Sequence, residues 1–247
     1  MGEAKLKVRH NLFICGAALL LICSFFMPNF VAGVDDSRRL DNLVTVDALG
    51  NSFDFASDLA LPDRIALAAD LNSEVLPLKT GNKMDFEAAE ENIDRELTRF
   101  FRNSPFQLDL NSYDVDDGAA ALVIDTAVPT LNLIIWEFIL VDQSGNTITV
   151  TFDDETGVIL RLIYKLGSEE NNLIETMLPG PNDQRFYVAA QSLIDMMKGY
   201  YGVHVTLADY QFSSWIAYYR ADMFAGGRIV PMYGAVKAYS FTINERV

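Results

Sequence analysis

The sequence has very little cysteine and histidine, and this scarcity excludes several kinds of site. Both cysteines, Cys15 and Cys23, lie in a hydrophobic run near the N-terminus, so the rest of the chain has no disulfide and no thiol nucleophile. The two histidines are His10 and His204, and a single imidazole beyond the N-terminal segment cannot build the usual multi-histidine or Cys/His zinc site within one protomer. We therefore predict a protein without a metal or other cofactor.

Common catalytic motifs are also absent. The sequence contains no H-E-x-x-H, no G-x-S-x-G and no G-x-x-x-x-G-K-[ST]. A Ser–His–Asp triad could use only His204, which follows Gly202 at a predicted helix-to-strand junction, where a structural role fits it better. Asp153, Asp154 and Glu155 could pair as acid and base, although neighbouring acids at a hairpin tip are normally solvated. We predict no enzymatic activity, with a carboxylate-dependent extracellular hydrolase as the alternative.

Positive charge is the third scarcity. The chain of 247 residues has 19 basic and 34 acidic side chains, a formal net charge of −15. Removing residues 1–33 leaves 16 basic and 33 acidic side chains, a net charge of −17. So acidic a chain excludes nucleic acid as a partner and favours a cationic or metal-bridged one, although solvation of an exported surface also explains the charge. The length fits one or two domains.

The N-terminal segment predicts export. Three basic residues precede a run over residues 11–34 that carries no charge and is interrupted by Pro28. Residues 1–34 are therefore either a cleaved signal peptide or a single transmembrane helix that contacts the membrane through residues 11–34, with its N-terminus inside and its C-terminus outside. Both alternatives place residues 35–247 outside the cytoplasm, as a single-pass cell-membrane protein or a secreted one.

Two later stretches each predict one amphipathic helix followed by antiparallel strands. In residues 84–168, apolar side chains recur at steps of three and four over residues 85–103 and then alternate with polar ones. In residues 180–247 a second helix is closed by Gly202 and is followed by four more strands. We predict an α+β protein with two helix-plus-antiparallel-sheet modules after an N-terminal membrane segment. Residues 35–83 are interpreted as a stalk or N-terminal extension.

One part of the first stretch resembles a known family. The residues that carry the resemblance lie within about residues 133–166 and are Trp136-Glu137-Phe138, Asp142, Gly145-Asn146, Ile148, Val150, Asp153, Thr156-Gly157 and Val158 to Leu160. They resemble the closing hairpin of a PepSY domain, and both modules are expected to be PepSY-like or cystatin-like. The resemblance implies an exported, non-catalytic module of the kind found in propeptides that inhibit secreted peptidases and in membrane-attached regulators. A PepSY domain usually has a short strand before its helix, and residues 76–84 do not predict one.

Tyrosine is concentrated in the C-terminal third of the sequence. Most of these side chains are expected in the core or in cross-strand pairs, but a partner-binding face is the alternative, and its candidates are Trp215, Tyr218 and Tyr219. The sequence therefore predicts a non-catalytic extracytoplasmic binding or regulatory module with an unidentified protein partner. Such a module would modulate a peptidase, a sensor or an envelope assembly. A structural surface protein is a further alternative.

Overall fold

The computed structural model describes residues 59–102, 104–106, 108–168, 174, 181–213 and 215–244. The predicted membrane segment and the first part of the predicted stalk lie outside these residues. Within them, no helix is both long enough and apolar enough to cross a membrane. The transmembrane helix predicted from the sequence therefore has no counterpart in the described part of the protein.

The strands of the described residues all belong to one antiparallel sheet, and helices pack against it. In chain order, the elements are α1 (Leu61–Ala69), β1 (Ser73–Leu78), α2 (Phe86–Phe101), a 3-10 turn (Leu110–Ser112), β2 (Tyr113–Asp125), β3 (Asn132–Asp142), β4 (Thr147–Asp153), β5 (Ile159–Lys165), α3 (Asn182–Tyr201), β6 (His204–Ser213), β7 (Ile216–Ala225), β8 (Arg228–Lys237) and β9 (Ser240–Ile243). The strands lie side by side in the order β1-β2-β3-β4-β5-β9-β8-β7-β6.

The prediction of two separate helix-plus-sheet modules, PepSY-like or cystatin-like, is wrong. The last strands of the two meanders pair with each other, from Leu162 opposite Ile243 to Lys165 opposite Ser240. Every residue of β9 is buried, and so are Ile159, Leu160, Leu162 and Tyr164 of β5. Pairing them satisfies backbone groups that two separate sheets would leave at exposed edges, and it gives one continuous nine-stranded sheet.

Helix α2 forms where the sequence predicts a helix over residues 85–103. Asp85 caps its N-terminus by accepting a hydrogen bond from the Ala88 amide at 2.9 Å. Its first turn places the Phe86 ring 6.2 Å from the Trp136 ring and 5.3 Å from the Phe138 ring. The face of β3 that carries Trp136 and Phe138 therefore lies against α2.

Part of the predicted stalk belongs to the folded unit. Helix α1 contacts β2, β3, β5 and β8, and its residues Ile65, Leu67 and Ala68 are buried in the main core. Strand β1 pairs along the outer side of β2, from Ser73 opposite Asp125 to Leu78 opposite Ala120. The chain thus has a strand before α2, although the sequence of residues 76–84 did not predict it.

A single core connects the two halves of the sheet. The Phe241 ring of β9 stacks on Phe106 at 4.8 Å and lies 6.4 Å from Phe101 at the end of α2. It also lies 5.3 Å from Tyr164 of β5. Because these contacts span elements from both halves, the hydrophobic core is continuous across the β5–β9 junction.

Candidate functional site

The acidic hairpin tip between β4 and β5 is the first candidate site. The expectation that its acids are solvated is wrong for two of the three, because Asp153 is 1% and Asp154 is 2% exposed. Glu155 keeps 29% of its side chain exposed. Two buried neighbouring carboxylates are costly unless both are paired, so their partners decide whether the tip is a chemical site or a structural one.

Asp153 is held by an arginine that lies 89 residues earlier in the chain. The Arg64 guanidinium donates from Nη1 to Asp153 Oδ1 at 2.9 Å and to Oδ2 at 3.0 Å, and it donates from Nη2 to Glu155 Oε2. Its Nε donates to the Leu59 carbonyl at 2.7 Å. The Thr156 amide donates to Asp153 Oδ2 at 2.9 Å. Arg64 is itself only 4% exposed, so this is a buried ion pair that fastens α1 to the hairpin.

Asp154 binds a different part of the molecule. Its Oδ2 accepts the amides of Asn82 at 2.8 Å and Lys83 at 2.7 Å. Its Oδ1 accepts the Met84 amide at 3.1 Å and the Trp136 indole N–H at 2.9 Å. Asp153 is the last residue of β4 and Asp154 is the first residue of the turn, and the two neighbouring carboxylates reach different elements. Asp154 therefore fastens the loop before α2, and both of its oxygens are occupied by protein donors.

The same hairpin is also tied to α2 and α3. The Asn92 side chain of α2 donates to the Gly157 carbonyl at 2.9 Å. The Tyr200 hydroxyl of α3 accepts the Ile159 amide at 2.9 Å and donates to Glu96 Oε2 at 2.6 Å. Burial, reinforced by the hydrogen bond to Glu96, raises the pKa of Tyr200 far above its ordinary value. The tyrosine therefore keeps its proton, and the whole cluster is built as a structural anchor.

The described residues contain no group of three or more His, Cys, Asp and Glu side chains that could hold a metal ion. In the sequence, the acids of the β4–β5 tip are candidates for an acid–base pair. In the structure, Asp153 and Asp154 accept hydrogen bonds from α1 and from the loop before α2. They are positioned to hold elements together, and the geometry does not favour proton transfer to a substrate.

A patch of exposed apolar side chains in the second half of the sheet is the other candidate site. We call it the aromatic face, and its members are Trp215 (49% exposed), Tyr218 (54%), Phe224 (40%), Ile229 (58%) and Tyr233 (38%). They lie on neighbouring strands, where Phe224 is opposite Ile229 and Tyr233 is opposite Arg220, with the outward pair of Asp222 and Pro231 between them. Trp215 lies at the β6–β7 turn, directly before β7. The exposed ring of His204 packs 5.3 Å from Phe224 at the β6 side of the face.

The structure separates the three residues that the sequence proposed for partner binding. Trp215 and Tyr218 belong to the aromatic face, but Tyr219 is 3% exposed, and its hydroxyl donates to the Thr242 carbonyl at 2.8 Å. Its ring lies against Gly234, where an added Cβ would come within 2.4 Å of the phenol. Adjacent strand residues point to opposite sides, so Tyr218 and Tyr219 could not both be exposed. Tyr219 is a core residue.

Sequence reasoning missed three members of the aromatic face. Phe224, Ile229 and Tyr233, which lie in β7 and β8, were not among the candidates for partner binding. The sequence does contain one indication. Phe224 and Tyr218 are six residues apart in β7, and residues an even number apart in a strand point to the same side of the sheet. This indication identifies an exposed face only once the buried side of β7 is known, and that side is defined by the packing of α3 rather than by the sequence of β7.

Trp215 has an unusual backbone conformation. Its φ is +74°, in the left-handed region that large L-residues rarely adopt. Among the residues that the structure describes, the other non-glycine residue with positive φ is Asn244, a type that tolerates this region. Such a conformation costs on the order of 1–3 kcal/mol and is concentrated at functional sites. The turn thus keeps a half-exposed indole at the end of the aromatic face despite local strain.

Comparison of the chain with family models, with curated proteins and with solved structures finds no match. The resemblance of residues 133–166 to a PepSY domain therefore stays a prediction, and the function has to be argued from the aromatic face itself.

Proposed function

We propose that this protein is a non-catalytic binding module that works outside the cytoplasm through protein–protein contact at its aromatic face. The observation that carries the proposal is the concentration of five large apolar side chains left 38–58% exposed on β7, β8 and the preceding turn. Single exposed apolar residues are common on protein surfaces, but several on one side of two paired strands favour an interaction surface.

The composition of the aromatic face supports a protein ligand. Tryptophan, tyrosine and arginine are the residue types that contribute most to protein interfaces, and the face combines Trp215, Tyr218 and Tyr233 with the neighbouring Arg220. The rings are large and carry few rotatable bonds, so ordering them on binding costs little entropy. The strained backbone of Trp215 supports the same proposal, because an unstrained residue would serve stability better.

The hairpin cluster supports the non-catalytic part of the proposal. Its buried carboxylates fasten α1 and the loop before α2 to the sheet, and their oxygens are occupied by protein donors. The export signal predicted in residues 1–34 supports a location outside the cytoplasm, where the module would modulate a peptidase, a sensor or an envelope assembly.

Site-specific photo-crosslinking in living cells tests the proposal. A photoreactive phenylalanine analogue replaces Tyr218 on the aromatic face and, as a control, Leu71, which is 58% exposed in the turn before the edge strand β1. We expect crosslinks to a discrete protein from position 218 and none from position 71. Crosslinks of equal yield from both positions, or none from position 218, would overturn the proposal.

A further inference from the structure

We propose that the occupant of the aromatic face is a second copy of this chain, so that two modules pack face to face as a symmetric dimer. The inference rests on the proposed function, because it names the partner of the same surface. Two properties of the surface favour this occupant, namely its charge compared with the rest of the chain and the area that it offers.

The chain is strongly acidic outside the aromatic face. Residues 59–247 carry 27 acidic and 14 basic side chains, a net charge of −13. Two copies that met through an average part of this surface would bring like charges together, which costs several kcal/mol in a desolvated contact. Self-association therefore requires a surface on which the charge is balanced.

The outward side of β6, β7 and β8 carries equal numbers of acidic and basic side chains. The strand register places Asp209 opposite Arg220, and it places Asp222 opposite Pro231 and Lys237 opposite Ile216. These outward positions therefore carry two acidic and two basic side chains. Arg220 and Asp222 already approach within 3.3 Å of each other. The remaining outward positions are aromatic, aliphatic or uncharged.

A balanced face suits an isologous contact. In a dimer with twofold symmetry the same patch meets itself, so each charge on one copy faces the patch of the other. A patch with both signs in equal number can pair its charges across the twofold axis, whereas a patch of one sign repels itself. The aromatic side chains then supply the apolar centre that such interfaces require.

The dimensions of the face agree with a dimer of modest stability. Three ten-residue strands present a rectangle of about 33 Å by 14 Å, because the rise is about 3.3 Å per residue and the strand spacing about 4.8 Å. This backbone footprint is about 460 Å², and the side chains that project from it, together with the Trp215 turn, give a larger accessible area. The area approaches the roughly 600–800 Å² that each partner buries in small and standard interfaces. We therefore expect dissociation within the concentration range of ordinary measurements.

Sedimentation velocity on the full chain in a mild detergent tests the inference. The matched variants are Ile229→Lys on the aromatic face and Leu71→Lys outside it, since both wild-type side chains are 58% exposed. We expect the wild type and Leu71→Lys to shift from monomer to dimer between about 1 and 100 µM, and Ile229→Lys to weaken dimerisation at least tenfold. Circular dichroism checks that both variants are folded. A monomer at every concentration would overturn the inference, as would equal behaviour of the two variants.

Disulfide trapping gives a second measurement that does not depend on a damaging variant. With Cys15 and Cys23 replaced by serine the full chain has no thiol, so Tyr233→Cys can crosslink only to another copy when an added oxidant, copper phenanthroline, removes two electrons and two protons. Val128→Cys, in the β2–β3 turn, is the control. We expect a covalent dimer from Tyr233→Cys alone. A monomer that nevertheless crosslinks to another protein through position 218 would overturn this inference and leave the proposed function standing.

Discussion

The β4–β5 and β7–β8 hairpins differ in how their tips are held. Asp153 and Asp154 fasten the first tip to α1 and to the loop before α2, and both carboxylates are buried. The second tip is built from Gly226 and Gly227, whose φ values are +59° and +75°, and nothing lies within 4 Å of the position of an added Cβ at either glycine. The first hairpin is fastened to the fold by buried carboxylates, whereas the second is tied to α1 at the surface, through the exposed ion pair between Arg228 and Asp63 at 2.7 Å.

The outward sides of the two halves differ in the same way. In the first half, Glu137 accepts hydrogen bonds from Thr151 at 3.1 Å and from Arg161 at 2.6 Å, so polar partners cover this part of the sheet. In the second half, the corresponding side carries the aromatic face. The contrast indicates a division of labour in which one half supplies stability and the other supplies contact. The predictions below test this division with stability and association as separate readouts.

The largest loss of stability is expected from Arg64→Met. This change leaves the Asp153 carboxylate buried without its cation, which costs about 3–5 kcal/mol in free energy of unfolding. Urea denaturation measures the loss. Combining it with Asp153→Asn removes the unpaired charge, so the double variant should lose less than the sum of the single variants. Strict additivity would show that the pair is not coupled.

A smaller but still large loss is expected from Asp154→Ala. Three backbone amides and the Trp136 indole lose their acceptor, and we expect the free energy of unfolding to fall by about 3 kcal/mol, since the loop can recover some hydrogen bonds from water. Asp94→Ala, an exposed acid on α2, is the matched control and should change stability by less than about 0.5 kcal/mol. Equal effects at the two positions would contradict the anchoring role of the hairpin tip.

An intermediate effect is expected from Tyr200→Phe. Glu96 loses a buried donor and the Ile159 amide loses an acceptor, at a cost of about 1–3 kcal/mol near neutral pH. Because the pKa of Tyr200 is raised in the folded state, the unfolded chain releases this proton first, and wild-type stability should fall as the pH rises above about 10. The variant should lose part of that slope. An unchanged slope in denaturation curves from pH 9 to 11 would refute this assignment.

The smallest change in stability, and one of opposite sign, is expected from Trp215→Asn. Asparagine tolerates the left-handed backbone, so the variant should gain about 0.5–1 kcal/mol while association through the aromatic face weakens. Trp215→Phe keeps both a ring and the strain, and it should show neither gain nor strong loss. Thermal denaturation and sedimentation measure the two readouts. A destabilised Trp215→Asn that still associates normally would show that the indole serves the fold.

The sequence predicts the local elements better than their assembly. The spacing of Ile93, Leu97 and Phe100 correctly predicts helix α2, because an amphipathic helix is a local pattern. The pairing of Leu162 with Ile243 joins residues 81 positions apart, and no local pattern specifies it. The sequence therefore predicted two modules where the chain forms a single sheet.

The candidate sites show the same limit. Acids at a hairpin tip are normally solvated, and only the arrival of Arg64 from α1 and of the Met84 amide explains their burial. From the sequence, Tyr218 and Tyr219 are equally good candidates for an exposed binding residue. They point to opposite sides of β7, and because α3 covers one side, only Tyr218 is exposed. In both cases tertiary packing decides the outcome, and the local sequence pattern does not contain it.

The most direct test of the central claim is the comparison of photo-crosslinks from the two ends of the sheet. The account predicts crosslinks from position 218 on the aromatic face, and their loss when Ile229→Lys is added in the same chain. It also predicts none from position 71 beside the edge strand β1. Crosslinks that persist in the presence of Ile229→Lys, or that arise equally from position 71, would contradict the claim that the aromatic face is the binding surface of this protein.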